Sequence, residues 1–184
     1  MGTIVGKHII LGITGSIAAY KAADIASGLI KRGARVTPVM TAEACRFITP
    51  AALSAVARTP ALCDLWAEHS ESRPSHIDLA MKADLLLVAP ATAHIMACMA
   101  HGLAPDLLTC TYLAMQKPVL LAPAMNSAMY AHPATQTNLE CLRKRGHVII
   151  EPATGMLACG TTGKGRLADL DDIFAAVENQ FSQN

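Results

Sequence analysis

The run Leu85-Leu86-Leu87-Val88-Ala89 is apolar at every position and stops at Pro90. A strand with one wet face alternates apolar and polar side chains, so a run without alternation must be covered on both faces. Val119 to Ala122, behind Pro118, has the same character, and His8 to Ile13 forms a similar run near the start. Arg35 to Met40, with Pro38 marking an edge or irregular position, and His147 to Ile150 complete five strands. Helical segments separate them: Ile17 to Arg32 ending at Gly33, Thr49-Pro50 to Val56, Ala93 to His101, Pro105 to Met115, Pro133 to Arg145 ending at Gly146, and Asp169 to Phe181. Strands alternating with helices predict an α/β fold, a doubly wound parallel sheet in a three-layer αβα sandwich. The 184 residues contain no Gly/Ser-rich linker, so residues 1–184 are expected to form a single domain.

Composition narrows the function. The hydrophobic share is 52% with only 4% aromatic, which suits an aliphatic core under helices and leaves subunit contacts plausible. A net charge of +1 without a basic stripe lacks the footprint of nucleic-acid binding. The apolar runs are strand-sized and no signal-peptide pattern opens the chain, so a cytoplasmic protein without membrane contact is expected. Cys45, Cys63, Cys98, Cys110, Cys141 and Cys159 form no C-x-x-C pair and no zinc spacing; reduced thiols and no metal are expected. Five lie among apolar or helical neighbours, whereas Cys159 lies in a glycine-rich stretch, Pro152 to Gly165, that reads as a flexible flap without strand periodicity.

In open α/β sheets ligands collect at the carboxyl ends of the strands. There the chain places small, hydroxyl-bearing turns: Thr14-Gly15-Ser16-Ile17 after the first strand and Pro90-Ala91-Thr92-Ala93 after Leu85 to Ala89. Free N–H groups at a helix start suit a phosphate, although ordinary N-capping explains the same residues. Neither turn is G-x-G-x-x-G or a P-loop. Thr41 and Phe47 stand at the same edge, where a hydroxyl and a ring could flank a planar ligand; the other reading is a cap and a core aromatic. Pro123-Ala124-Met125-Asn126-Ser127-Ala128-Met129-Tyr130 follows another strand, and Asn126 there either hydrogen-bonds its own turn or holds a substrate. His76 closes a polar loop, Trp66 to Ser75, where an imidazole can titrate. Leu107, Leu108 and Leu113 look like a core stripe.

Five of these pieces in order carry a resemblance: Gly12 to Ala18, His76-Ile77-Asp78-Leu79, Ala89 to Ala93, Pro123 to Tyr130, and Leu157-Ala158-Cys159-Gly160 with Gly163 and Gly165. The chain resembles the flavin-containing cysteine decarboxylases over nearly its whole length, most closely those acting on phosphopantothenoylcysteine in coenzyme A synthesis. The resemblance implies a flavodoxin-like (Rossmann-like) fold binding FMN through Gly15, Ser16, Ile17, Thr41, Phe47, Pro90, Ala91, Thr92, Ala93 and Ala124. It implies a homotrimer or trimer-based dodecamer with sites at subunit contacts. It implies that His76 handles a proton, that Asn126 holds the substrate carboxylate with Met125 and Met129 beside it, and that Cys159 donates a proton when the enethiol intermediate is reduced. Pro105-Asp106 stands where the family usually carries an Asn/Asp pair, and Tyr130 replaces a commoner tryptophan. A flavin prenyltransferase, a peptidyl-cysteine decarboxylase and a non-catalytic regulatory subunit of the same superfamily are the alternatives.

Overall fold

The computed structural model describes residues 4–67, 74–156, 160 and 162–182. Five parallel strands, β1 (His8–Ile13), β2 (Arg35–Met40), β3 (Leu85–Ala91), β4 (Val119–Pro123) and β5 (Val148–Ile149), form one sheet in the order β2-β1-β3-β4-β5. This is the doubly wound, flavodoxin-like order, and it reverses direction between β1 and β3. As expected of runs without alternation, β1, β3 and β4 are buried at every position.

Side chains still alternate between two apolar layers. Ile9, Leu11, Ile13, Leu85 and Leu87 pack under α1 (Ala22–Lys31) and α8 (Leu170–Gln180). Ile10, Leu86, Val88 and Leu121 pack under α3 (Ser75–Lys82), α4 (Ala93–His101), α5 (Leu107–Ala114) and α7 (Pro133–Lys144). Each fully buried Leu or Ile contributes about 1.5–3 kcal/mol relative to exposure, so this two-sided burial dominates what holds the sheet. The remaining helices are α2 (Pro50–Ala57), capped by the Thr49 hydroxyl, and the short α6 (Ser127–Ala131). Pro38 lies on β2, the edge strand; its carbonyl accepts from Leu62 N–H at 2.9 Å, so one bridge extends the edge.

Three expectations change. His76 does not end a loop: it lies in the first turn of α3, a helix of eight residues whose buried side is only Ser75, Leu79 and Ala80. So narrow an apolar stripe gives little periodic signal, but Asp78 and Lys82, paired at 2.6 Å, carry helical i,i+4 spacing. The segment from Pro152 to Gly165 is not without strands: β6 (Ala153–Met156) and β7 (Thr162–Arg166) pair antiparallel in a separate two-stranded sheet. Both strands are mostly exposed and glycine-rich, so no apolar alternation marks them. Leu113 is 52% exposed, and α5 buries Leu107, Leu108, Thr111 and Tyr112 instead.

Cys45, Cys63, Cys98, Cys110 and Cys141 are free thiols. Cys45 and Cys63 stand with sulfurs 3.6 Å apart; burial, and then the Cys45 thiol, push Cys63 up to about 12. No helix among the described residues is long and apolar enough to cross a membrane, and they contain no cluster of metal ligands.

Buried histidines set an acid limit. His8 at the start of β1 is held by the Lys82 carbonyl (3.1 Å) and the Thr37 hydroxyl (2.8 Å), and burial lowers its pKa. Burial also lowers that of His147, helped by Arg145, while Tyr112 Oη lies 2.8 Å from its Nε2. Below an unfolded value of about 6.5 the unfolded chain takes protons that the folded chain resists. Stability is therefore full above that pH and is expected to fall as pH drops below it, which thermal unfolding from pH 8 to 5 checks; a flat profile would refute it.

Candidate functional site

Because all five strands run parallel, the ends of β1, β3 and β4 lie on one edge of the sheet. Hydrogen bonds stitch the turns that leave them. Thr14, buried at the end of β1, donates its hydroxyl to the Pro90 carbonyl (2.7 Å) and accepts from Thr92 N–H (3.2 Å). Ala124 N–H donates to the Ala91 carbonyl (3.1 Å), and the Ser16 hydroxyl reaches the Ala124 carbonyl at 3.4 Å. The Asn126 turn is tied to β7 through Met125 N–H and the Gly165 carbonyl, 2.9 Å apart. Two glycines permit close approach: a Cβ on Gly15 would collide with the Glu43 side chain, and one on Gly165, at φ +149°, with the Met125 carbonyl.

The Ser16 and Asn126 turns, with the hairpin, enclose an open cavity of about 570 Å³, whereas the expected Gly15, Pro90, Ala91, Thr92 and Ala93 are not among its lining residues. Its walls are Ser16 to Ala18 with Tyr20 and Lys21, then Ala124, Met125 and Asn126, and on the hairpin side Met156 and Gly165 to Leu167. Volume and apolar lining fall within the range of small-molecule sites, and the place is the switch point where doubly wound sheets bind ligands.

Ser16, Ile17, Ala124, Met125 and Asn126 are thus brought together as the sequence suggests. The hydroxyls have structural duties as well. Ser16 caps the 3₁₀ turn Ile17–Lys21, accepting from Ala18 N–H; Thr92 caps α4, accepting from Ile95 N–H; and Asn126 Oδ1 caps α6, accepting from Ala128 N–H at 2.8 Å. The capping reading therefore holds at all three turns. Ser16 N–H turns inward to the Thr14 carbonyl (2.8 Å), so it is not among the N–H groups open to an anion at this turn.

Other expected residues do not line the cavity. Thr41 is buried and accepts from Ala44 N–H at 3.3 Å, the cap reading. Phe47 is 46% exposed, which excludes a core aromatic, and Met129 is 50% exposed on α6. His76 faces the same edge from farther along the sheet: α3 ends at Lys82 beside His8, so its first turn points to the strand ends. The His76 Nδ1 atom is buried without a hydrogen-bond partner among the described residues. Asp106 of the Pro105-Asp106 departure caps α5 in a reciprocal box with Thr109. Cys159 lies outside the described residues.

Thr14 and Lys21 are cavity or stitching residues that the motifs alone did not single out as such. Thr14 carries the signal used for Ser16, a hydroxyl at a strand end, and Lys21 follows Ile17 by one helical step. Behind the cavity Glu151 collects Arg143 (2.6 Å), Lys164 (2.6 Å) and the Tyr130 hydroxyl (3.1 Å), linking the hairpin to α6 and α7. Burial opposes ionisation of Glu151, but hydrogen bonds from Lys164, Tyr130 and Arg143 prevail and lower its pKa.

Known proteins share this architecture. The chain is 44% identical over 96% of its length to the coenzyme A biosynthesis bifunctional protein CoaBC of Bacillus subtilis, covering 44% of that protein. It is 44% identical to the probable phosphopantothenoylcysteine decarboxylase of Streptococcus mutans, covering 95% of this chain and 98% of that one. The chain thus spans about half the length of the bifunctional relatives it matches. Among solved structures, a PPC decarboxylase mutant complexed with pantothenoylaminoethenethiol superposes with a TM-score of 0.87 at 29% identity, over 97% of this chain and 100% of that one. A family model described as Flavoprotein matches residues 2–182, and with a cavity of flavin size at the switch point the chain belongs to the Flavoprotein family.

Proposed function

We propose that the protein is an FMN-dependent phosphopantothenoylcysteine decarboxylase that forms 4′-phosphopantetheine for coenzyme A synthesis in the cytoplasm. The observation that carries this reading is the joining of the Ser16 turn and the Asn126 turn in one cavity at the switch point. The described residues fit a flavin: the walls are mostly apolar, glycine permits close approach at Gly15, and capped turns at Ser16 and Thr92 offer N–H groups and hydroxyls near a phosphate. The absence of a G-x-G-x-x-G fingerprint favours the mononucleotide over a dinucleotide. Gly15, Ser16, Ile17, Ala124 and the Pro90–Ala93 turn would hold it, with Thr41 and Phe47 farther along the edge.

Bound flavin supplies a two-electron acceptor for oxidising the substrate thiol to a thioaldehyde, which places the carboxylate β to an electron sink. Asn126 holds that carboxylate with a neutral donor, avoiding the strong ion pair that would oppose CO₂ loss, and Met125 and Met129 give the turn apolar flanks. His76 takes or returns the proton. Cys159 donates the proton that completes reduction of the enethiol. Exposed Ile17 (60%), Tyr20 (59%) and Met156 (77%) around the cavity favour a homo-oligomer, a homotrimer or trimer-based dodecamer, with the site at a subunit contact.

The test is direct. Purified protein is expected to be yellow with FMN and to release CO₂ from phosphopantothenoylcysteine. Cys159→Ser is expected to keep CO₂ release while accumulating the enethiol, detected by mass spectrometry. A colourless protein without flavin affinity would refute the reading; activity on peptides ending in cysteine, with none on phosphopantothenoylcysteine, would move it to the peptide branch.

A further inference from the structure

We propose that Lys21 and Arg166 form a phosphomonoester subsite at the outer end of the cavity and bind the 4′-phosphate of the substrate, an inference that rests on the decarboxylase reading. A substrate with a terminal phosphate dianion needs cations within reach of its tail. The sequence offers Lys82, Lys164 and Arg166 for this task, and the structure separates them. Lys82 is paired with Asp78 at 2.6 Å, and its carbonyl lies beside His8 at the opposite edge of the sheet. Lys164 is bound to Glu151 at 2.6 Å and lies over the Tyr130 ring at 5.4 Å.

Arg166 lines the cavity, and its guanidinium is only partly satisfied: one terminal nitrogen pairs with Asp169 at 2.9 Å, while Nε is buried without a hydrogen-bond partner among the described residues. The side chain as a whole is 39% exposed, so its terminal nitrogens present the forked donors that a phosphate takes. Lys21 lines the same cavity from the 3₁₀ turn, with no carboxylate in ion-pair reach among the described residues. Two cations from separate elements, one of them without a counterion, therefore face one mostly apolar space.

Position distinguishes the two phosphates that could come here. The inner end of the cavity is formed by the stitched Ser16 and buried Ala124 turns, which suit the flavin phosphate. Lys21 stands next to exposed Tyr20, and the Arg166 side chain is 39% exposed, so both cations can be reached from solvent. An extended substrate whose carboxylate is held at Asn126 directs its tail there.

The experiment is calorimetric titration of the flavin-loaded protein with 4′-phosphopantetheine and with pantetheine. Wild type is expected to favour the phosphorylated compound by about 100-fold, and Lys21→Gln and Arg166→Gln each to weaken it about 10-fold while leaving pantetheine unchanged. The double variant is expected to bind both alike. FMN and riboflavin are titrated into the flavin-free variants in parallel; a loss of FMN affinity with the pantetheine preference intact would assign the cations to the flavin phosphate and overturn the proposal. Equal binding of both pantetheines by wild type, binding of neither, or an unchanged preference in the variants would also overturn it. Phosphate-dependent binding without CO₂ release from phosphopantothenoylcysteine would instead sink the decarboxylase reading and leave the subsite standing.

Discussion

Asn126→Asp is expected to abolish CO₂ release while leaving the protein about as stable as the wild type. Asn and Asp are comparable N-caps, so the replacement keeps an oxygen for Ala128 N–H and keeps the head of α6 in place. What it removes is the amide donor, and what it adds is a negative charge facing a substrate carboxylate. Loss of one positioned donor costs roughly 10²–10³ in turnover, and like-charge repulsion adds to that. Asn126→Ala is expected to lose activity as well, but with about 1 kcal/mol of stability from the missing cap. Measuring CO₂ release and thermal unfolding on both variants separates the two duties. An Asp variant with normal turnover would remove Asn126 from the chemistry and leave it a cap only.

Gly165→Ala is expected to open the cavity from the hairpin side. At φ +149° a side chain is strained by about 1–3 kcal/mol, and its Cβ would collide with the Met125 carbonyl. The obstacle is backbone, so relief requires moving either β7 or the Asn126 turn, and both movements break the Met125 N–H to Gly165 carbonyl bond. Turnover is expected to fall at least 100-fold, with faster amide exchange at Met125 and little change in the sheet core. Gly163→Ala on the same strand is expected to act in the same direction without the φ strain, because its Cβ would stand 2.8 Å from Ser127 Cβ, an atom fixed to the backbone of α6. Equal activity of the Gly165 variant and wild type would contradict the close packing of hairpin and turn.

What the chain reveals before folding depends on how each element is held. Leu85 to Ala89 announces a two-sided strand because burial on both faces is written into every residue. Thr49 and Thr92 are legible as caps because an N-cap needs a hydroxyl within its own turn. The hairpin β6–β7 escapes notice because backbone pairing, one carbonyl contact and the Lys164–Glu151 pair hold it, none of which selects apolar side chains. Helix α3 is missed because two turns with a narrow buried stripe resemble a loop. In the site, the Ser16 and Asn126 turns are legible from their residue types, whereas the pairing of Thr14 with Pro90 and Thr92 is a contact between distant segments that no local pattern encodes. The same holds for Arg166, whose place in the cavity wall only the packed structure defines.

The strand order β2-β1-β3-β4-β5, with the hairpin following β5 in the chain, also has a kinetic consequence. The cavity wall comes from the beginning of the chain at Ser16 to Lys21, the middle at Ala124 to Asn126, and the end at Gly165 to Leu167. Contacts so far apart in sequence form late, because their loop-closure entropy is repaid only when the intervening parallel strands have paired. A chain arrested before β7 would possess the sheet and lack one wall of the cavity. Ligand binding would then select completed molecules: at 100 times its Kd a ligand binding only the finished state adds about 2.7 kcal/mol, drawing late intermediates to the native side and away from proteolysis.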